Sequence, residues 1–374
     1  MARETVVEIA MTYLPDIGGG ETHLRDLIEY ISRFYKTVVI TMKPYQANRG
    51  NPPIVERTKM ITVIRLPRPL RYLAFRDSEW RPSAALIYMP LFFSYITLWS
   101  VVKGKEVKSF HMHGLLLTPL CAFLKILTGK RCIISVHFTF RGGDGILYKV
   151  LRWSLTKADY VLVLSNLEKE NMIKFGIPKE KVKRFTYWVD LNTFKPIDKN
   201  AAREKLRINR SSFVVLFVGR LIEEKGVKLL FEVAKNIKEF EFYIVGDGPL
   251  RGDVKRFAEE NDNFHFVGPV NNQSLPLWYN ASDVLVVPSI SEEGFGRVII
   301  EALACGVPVL GSNLGGIPEA IKSDMGIIVD PNPQDITRAL REIANSQYDR
   351  FKIRKYAEEQ FGLKNAEEIM QLIS

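Results

Sequence analysis

The sequence predicts an α/β protein in which two domains each carry a parallel sheet covered by helices. Short β-branched runs alternate with helix-length segments along the whole chain, the pattern that parallel sheets with crossover helices produce. The chain is 374 residues long, too long for one ordinary domain and suited to two at roughly 150 residues each. Its composition, 47% hydrophobic and 25% charged without a long biased tract, is that of a soluble globular protein rather than a disordered or fibrous one.

In chain order, the first half offers strands at Val6–Tyr13, Thr37–Met42, Ile61–Leu66, Val107–His113, Cys132–His137 and Tyr160–Ser165. The second half offers Phe213–Gly219, Phe242–Gly246, Phe264–Val267, Val284–Pro288, Val307–Gly311 and Gly326–Asp330. Between them Asp190–Arg210 is polar, is marked by Pro196 and stops just before the fresh strand at Phe213, so it reads as a linker. The domains are therefore expected over residues 1–190 and 191–349. The tail from Tyr348 to Ser374 reads as helical; residues 350–374 are a candidate to pack back on the first domain, although the sequence alone assigns them to neither half.

The stretch Pro82–Val102 holds no charged residue and has the length of a membrane span, about 20 residues. Pro90 in mid-run, the polar Ser83, Ser94 and Thr97, and the strand that ends at His113 argue instead for a buried or interfacial helix. A span would part that strand from its sheet partners. Arg65, Arg68, Arg71, Arg76 and Arg81 precede the stretch with only Asp77 and Glu79 as acidic company, and Tyr88, Phe92, Phe93, Tyr95 and Trp99 lie on it. A basic flank beside an apolar, aromatic helix suits docking on an anionic membrane; a solvated loop ahead of a core helix explains the same residues.

Cys121, Cys132 and Cys305 fall in apolar segments without C-x-x-C spacing, which suggests neither a disulfide framework nor a zinc site. With no secretory-type leader at the N-terminus, a cytoplasmic location is expected. The balance of 52 basic against 42 acidic residues, a net +10, favours an anionic partner. No zinc-finger spacing or RNP-like aromatic motif appears, so nucleic acid is not expected.

The chemistry-bearing motifs crowd the second half. Glu293-Gly294-Phe295-Gly296-Arg297-Val298 follows the strand Val284–Pro288 and runs on to Glu301. A glycine-rich loop that opens a helix frees backbone N–H groups to hold an anion or hydroxyls. If both glutamates ride one helix, eight residues turn through about 800° and leave their carboxylates about 80° apart. Two solvated glutamates would look the same. Earlier, Gly219-Arg220-Leu221-Ile222-Glu223-Glu224-Lys225-Gly226 leaves the end of strand Phe213–Gly219. A guanidinium fork and an ammonium beyond a strand's carboxyl end suit a diphosphate. Gly246-Asp247-Gly248 and Gly268-Pro269-Val270 are further strand-end turns, and neither completes a G-x-G-x-x-G.

Taken together, Glu293 and Glu301 at their spacing, Gly306-Val307-Pro308-Val309 and Gly315-Gly316-Ile317-Pro318-Glu319 resemble the signature of the family 4 retaining glycosyltransferases, the group 1 glycosyl transferases. The resemblance implies the GT-B fold, two Rossmann-like domains facing each other across a cleft. It also implies that Glu293 meets the donor sugar, that backbone amides of Phe295, Gly296, Arg297 and Val298 bind its hydroxyls, and that Glu301 accepts from the ribose. Arg220 and Lys225 would clamp the leaving diphosphate, and Val270 would lie beside the base.

In the first half, Gly18-Gly19-Gly20-Glu21 follows the first strand and precedes a helix read from near Thr22. Three glycines in a row are explained by close approach of something to the backbone, and also by a plain flexible turn. The resemblance makes Gly19 and Gly20 face the donor diphosphate. His111 and His113 lie two apart on one strand and so share a face. With His137 in Val136-His137-Phe138-Thr139, they resemble the acceptor halves of phosphatidylinositol mannosyltransferases and of glycosylphosphatidylinositol-type N-acetylglucosaminyltransferases. There the histidine matching His137 stands next to the reacting sugar, and His113 is a second candidate. His23 and His265 carry no signal of their own.

Tyr187-Trp188-Val189-Asp190 stands where such enzymes usually carry Asn-Gly before Val-Asp, and no D-x-D occurs. The missing D-x-D makes metal-independent transfer the expectation, and the resemblance implies, with no cofactor, retaining transfer of a hexose from a UDP- or GDP-sugar to an acceptor alcohol on a lipid or glycan. A GT-B epimerase or phosphorylase, and a silent sugar-nucleotide or lipid-surface binding protein, stay open as alternatives.

Overall fold

A computed structural model of the chain describes residues 4–15, 18–44, 51–67, 75–76, 79–80, 82–137, 140 and 142–374. Of the residues singled out above, Arg68, Arg71, Asp77, Arg81, Phe138 and Thr139 lie outside these, as do the side chains of Arg76, Glu79, Ser83 and Tyr88. The chain divides into two compact units, Met1–Phe185 with Ala366–Ser374, and Thr186–Asn365.

The first unit is built on eight strands, β1 Thr5–Ala10, β2 Lys36–Met42, β3 Val55–Arg57, β4 Ile61–Leu66, β7 Val107–His113, β8 Arg131–Val136, β9 Tyr160–Val163 and β10 Val182–Arg184. They form one sheet in the order β10-β9-β8-β7-β1-β2-β4-β3. All neighbours pair in parallel except β3 with β4. A separate pair, β5 Phe75–Arg76 and β6 Glu79–Trp80, stands outside the sheet. The central strands are covered on both faces, so Val7, Ile9, Phe110, Met112 and Ile134 are fully buried; hence the near-continuous apolar runs that make these strands visible in the sequence. β3 is exposed along its length and carries no such run.

The helix Gly19–Ile31 joins β1 to β2, whereas Thr118–Thr128 joins β7 to β8 and Ile146–Lys157 joins β8 to β9. The chain thus runs outward in opposite directions from β1 and from β7, and the switch in strand order lies between them. Open α/β sheets bind ligands beyond the strand ends at such a switch.

The second unit has six strands, β11 Phe213–Val218, β12 Phe240–Val245, β13 Phe264–Gly268, β14 Val284–Val287, β15 Val309–Ser312 and β16 Gly326–Val329. They form an all-parallel sheet in the order β13-β12-β11-β14-β15-β16. Here the switch falls between β11 and β14.

Three boundaries differ from the expectation. The units part between residues 185 and 186 rather than at 190, because Val189 N–H donates to Phe361 O at 3.0 Å and Asn365 Nδ2 donates to Tyr187 O at 3.3 Å, which ties residues 187–189 to the second unit. The segment read as a linker contains the helix Lys199–Leu206, capped by Asp198. Asp283 anchors it, accepting from Arg203 Nη2 at 2.7 Å and pairing with Lys199. The helical tail is divided: Arg350–Gln360 belongs to the second unit, while Ala366–Ser374 counts with the first, where Arg131 Nη1 donates to Leu372 O at 3.1 Å.

The apolar stretch forms the helix Pro82–Lys103. Phe92, Ile96 and Ser100, spaced by four, are buried along one stripe. Among the described residues, no helix is long and apolar enough to cross a membrane.

Candidate active site

In the second unit the loops after β11 and β14 meet at the switch. Gly226, at φ +68°, has no side chain, and a Cβ there would stand 1.9 Å from Pro288 O; only glycine permits this approach. Ile290 N–H donates to Glu224 O at 3.0 Å and closes the junction. The result brings Lys225 Nζ within 2.7 Å of Glu293 Oε2. Ser289 Oγ donates to the other oxygen of Glu293. The backbone of Glu293 is held as well, since Gly316 N–H donates to its carbonyl at 2.8 Å and Gly315, at φ +60°, packs flush against it. Arg220, on the same loop as Lys225, is exposed.

The two glutamates do not share a helix. Gly296 adopts φ +77°, and the helix begins only at Arg297, running to Ala304, so Glu293 belongs to the loop and the helical-wheel angle does not apply. Glu301 lies inside the fold: its Oε2 accepts from Tyr279 Oη at 2.8 Å, its Oε1 from Arg297 Nε at 3.0 Å, and it is 3% exposed. Burial first, then the Glu301 charge, pushes the Tyr279 hydroxyl well above its ordinary range, which keeps it a donor. Phe295 points into the core and meets Phe361 edge-on, with ring centroids 5.7 Å apart. What the Phe295–Val298 segment offers a ligand is therefore main-chain N–H groups around a helix start with no side-chain cap. Val270, half-buried, follows the end of β13.

In the first unit a polar ladder crosses β1, β7 and β8 at the switch. β1 pairs Glu8 with His111 in register, so His111 and His113, two apart, flank one carboxylate. Glu8 Oε2 lies 3.0 Å from His111 Nδ1 and 2.8 Å from His113 Nε2, and Glu8 is wholly buried. His111 Nε2 reaches Ser135 Oγ at 2.8 Å, and His113 Nδ1 reaches His137 Nε2 at 3.0 Å. Burial pushes Glu8 up, but the charges and hydrogen bonds of His111 and His113 outweigh it and hold the carboxyl at about 2. Burial and then His111 bring His113 down to about 4 against the pull of Glu8. His137 is held well below its ordinary value by burial, then by His113 and His111.

An ionised Glu8 can only accept, so His113 carries its proton on Nε2 and leaves Nδ1 bare. His137 must then donate from Nε2, and its own Nδ1 is left an acceptor, a tautomer set by the network. Among the described residues, Glu8, His111 and His113 are also the one group whose ligand atoms gather as a metal ion would require, all within 4.8 Å; the hydrogen bonds account for that gathering without an ion.

The glycine run also departs from its expected form. The helix starts at Gly19, not near Thr22, because Gly18 is extended and Thr22 N–H already donates to Gly18 O at 3.0 Å. Gly19 and Gly20 are thus first-turn residues, and a Cβ built on Gly20 meets no protein atom within 4 Å. Glu8, Ser135, Tyr279 and Ser289 were not singled out from the sequence. A signal existed for Glu8, one charge inside the apolar run Val6–Ala10. His23 is fully buried with its ring 5.7 Å from His137.

Residues 198–360 match the family model described as glycosyl transferases group 1, and residues 17–193 match that described as glycosyltransferase family 4. A phosphatidylinositol N-acetylglucosaminyltransferase subunit of Arabidopsis thaliana is 24% identical over 352 residues, covering 90% of this chain and 73% of that one. An uncharacterized glycosyltransferase of Methanocaldococcus jannaschii is 32% identical, covering 60% and 63%. Among solved structures, sucrose-phosphate synthase from Thermosynechococcus elongatus superposes with a TM-score of 0.83 at 23% identity over 99% of this chain and 98% of its own. Anabaena HepE in complex with UDP superposes at 0.74 with 17% identity, covering 98% of each chain.

Proposed function

This chain belongs to the group 1 glycosyltransferases of GT-B fold, and from that premise we propose that it moves a hexose from a UDP- or GDP-sugar to an acceptor alcohol with retention of anomeric configuration, without a metal ion. The observation that carries the reading is the Lys225–Glu293 pair at 2.7 Å across the switch point of the second unit, with Arg220 on the same loop. Two cations and a row of uncapped amides at a strand edge are a fixed electrostatic cradle for a diphosphate.

In the proposed reaction the bond from the sugar's anomeric carbon to the diphosphate oxygen breaks, and its electron pair leaves with the diphosphate. Arg220 and Lys225 neutralise the charge that develops there. The acceptor oxygen bonds to the anomeric carbon, and its proton passes to a leaving-phosphate oxygen. Glu293, freed from Lys225 when the diphosphate takes the ammonium, holds the sugar hydroxyls together with the Phe295–Val298 amides. Glu301 and Val270 attend the nucleoside. His137, with His113 behind it, accepts from a hydroxyl at the reacting centre.

The Arabidopsis relative is named for phosphatidylinositol, which favours a lipid alcohol as acceptor over a free glycan and a peripheral place on the cytoplasmic face of an anionic membrane. The test is thermal denaturation against UDP, GDP, ADP and their sugars in chelator. A ligand of the native state raises the melting temperature by mass action. A shift selective for one nucleotide and abolished by Arg220→Ala supports the reading; no shift with any of them removes it.

A further inference from the structure

The helix Pro82–Lys103 is not alone in turning apolar side chains to solvent. Leu91, Leu98, Val101 and Val102 are each more than 60% exposed on its outer side. On Thr118–Thr128, Phe123, Ile126 and Leu127 are exposed at the spacing of one helical face. On Ile146–Lys157 the face is Ile146, Leu147, Val150 and Trp153, of which Ile146 is 79% and Leu147 73% exposed. The three helices lead into β7, β8 and β9 in turn, and all three crossovers run in the same direction along the sheet, so they lie on one face. Leu98 and Val101 of the first line a common apolar groove with Leu120 and Phe123 of the second.

None of these helices contains an aspartate or a glutamate. Lys125 is engaged by Asp159 at 2.8 Å, which leaves Lys103, Lys149, Arg152 and Lys157 as the other charges on the three helices. By contrast the Gly19–Ile31 helix, which crosses in the other direction, carries Glu21, Asp26 and Glu29 and exposes no large apolar side chain. An apolar surface whose helices carry only cations disfavours a second copy of itself, and it meets an anionic bilayer on both counts, apolar interior and negative headgroups. Contiguous exposed apolar surface of this kind marks an interaction site.

We propose that the outer faces of the 118–128 and 146–157 helices, with residues 91–103 of the helix before them, form the docking surface of this chain for an anionic lipid bilayer. Crossover helices begin at the edge where the preceding strand ends. Ile146 and Leu147 therefore stand at the same edge of the sheet as His113 and His137. A lipid held in a bilayer against this face presents its headgroup hydroxyl toward the histidine ladder. That orientation rests on the lipid-acceptor reading above; the docking surface does not.

The experiment is co-sedimentation of the full chain with vesicles of phosphatidylcholine alone and of phosphatidylcholine with an equal part of phosphatidylglycerol. The protein is expected to bind the anionic vesicles selectively and to lose that binding as salt rises. Ile146→Asp with Leu147→Asp, acidic residues well tolerated in a first helical turn, is expected to weaken binding roughly tenfold. Lys149→Glu with Arg152→Glu reads the charge separately and is expected to do the same. Equal binding to both vesicle types, no binding at all, or variants that bind as the wild type overturn the proposal. So does a concentration-dependent dimer that the Ile146→Asp, Leu147→Asp variant abolishes, since the face would then be closed by a second copy. The nucleotide-induced melting shift, measured on the same samples, keeps the two readings apart. Docking without that shift sinks the transferase reading alone, and the shift without docking sinks the surface alone.

Discussion

Glu8 and His113 stand on adjacent parallel strands with Glu8 Oε2 2.8 Å from His113 Nε2, and the same carboxylate reaches His111 because the strand period places both imidazoles on one face. The relationship continues 3.0 Å further to His137. A single buried anion thus sets which nitrogen carries the proton on two successive rings.

Replacing Glu8 by glutamine keeps the shape and removes the anion. His113 is then free to take either tautomer, and His137 is no longer held to a single one. Partners that orient a functional histidine are typically worth about 10–100-fold, so kcat is expected to fall by that order while the nucleotide-induced melting shift stays at its wild-type size. Unchanged kcat with wild-type stability would show that the ladder does nothing for the reaction.

The ladder also makes the fold acid-sensitive. Glu8 lies at about 2 in the folded chain against an ordinary 4.5, so its stabilisation is full above 4.5 and is lost as the pH falls toward 2. His113 lies at about 4 against 6.5, so the folded chain resists a proton that the unfolded chain accepts, and stability falls as the pH drops below 6.5. The melting temperature is expected to be level above neutrality and to decline from there downward. His113→Gln should flatten the upper part of that decline. A profile that stays level through pH 5 in the wild type would contradict it.

Lys225→Met leaves the Glu293 carboxylate without its cation and the diphosphate without one of its two. The nucleotide-induced shift is expected to shrink and kcat to fall by roughly a hundredfold or more. Lys225→Arg should restore part of the nucleotide binding, because charge is the requirement for binding. Wild-type turnover in Lys225→Met would remove this residue from the mechanism.

Glu301→Ala is expected to act on stability before it acts on binding. It leaves the Arg297 guanidinium and the Tyr279 hydroxyl buried without their shared acceptor, at a cost of about 3–5 kcal/mol. Urea denaturation measures this directly. A loss under about 1 kcal/mol would mean that the pair is less sealed than its geometry indicates.

Gly226→Ala tests the junction that brings Lys225 to Glu293. The added Cβ meets Pro288 O at 1.9 Å on a backbone at φ +68°, so the loop has to open. A loss on the order of 1–3 kcal/mol together with weaker nucleotide binding is expected. Loss of stability with binding intact would separate the junction from the site.

Much of this molecule is legible before folding. The twelve strands read from apolar runs all appear within a few residues of their observed limits, because a strand in a sheet covered by helices buries most of its side chains and is therefore mostly apolar. β3 and β10, short and at the sheet's edges, left no such trace. The Arg220, Lys225 and Glu293 motifs could be placed at strand ends, since glycine and proline punctuation marks where a strand stops.

The rest required the tertiary structure. Glu293 and Glu301 look equivalent in the sequence, yet one sits in a loop against Lys225 and the other is buried on the following helix with Tyr279 and Arg297. Their difference comes from the positive φ of Gly296 and from burial. Glu8 is distant in sequence from every residue it serves, and only the pairing of β1 with β7 brings it to His111 and His113. The alternation of apolar runs and turns, local in the chain, determined which strands and strand-end loops form. Which charges are buried, which are paired and which proton is fixed was decided by contacts between segments far apart in sequence, because those depend on the order of strands in the sheet.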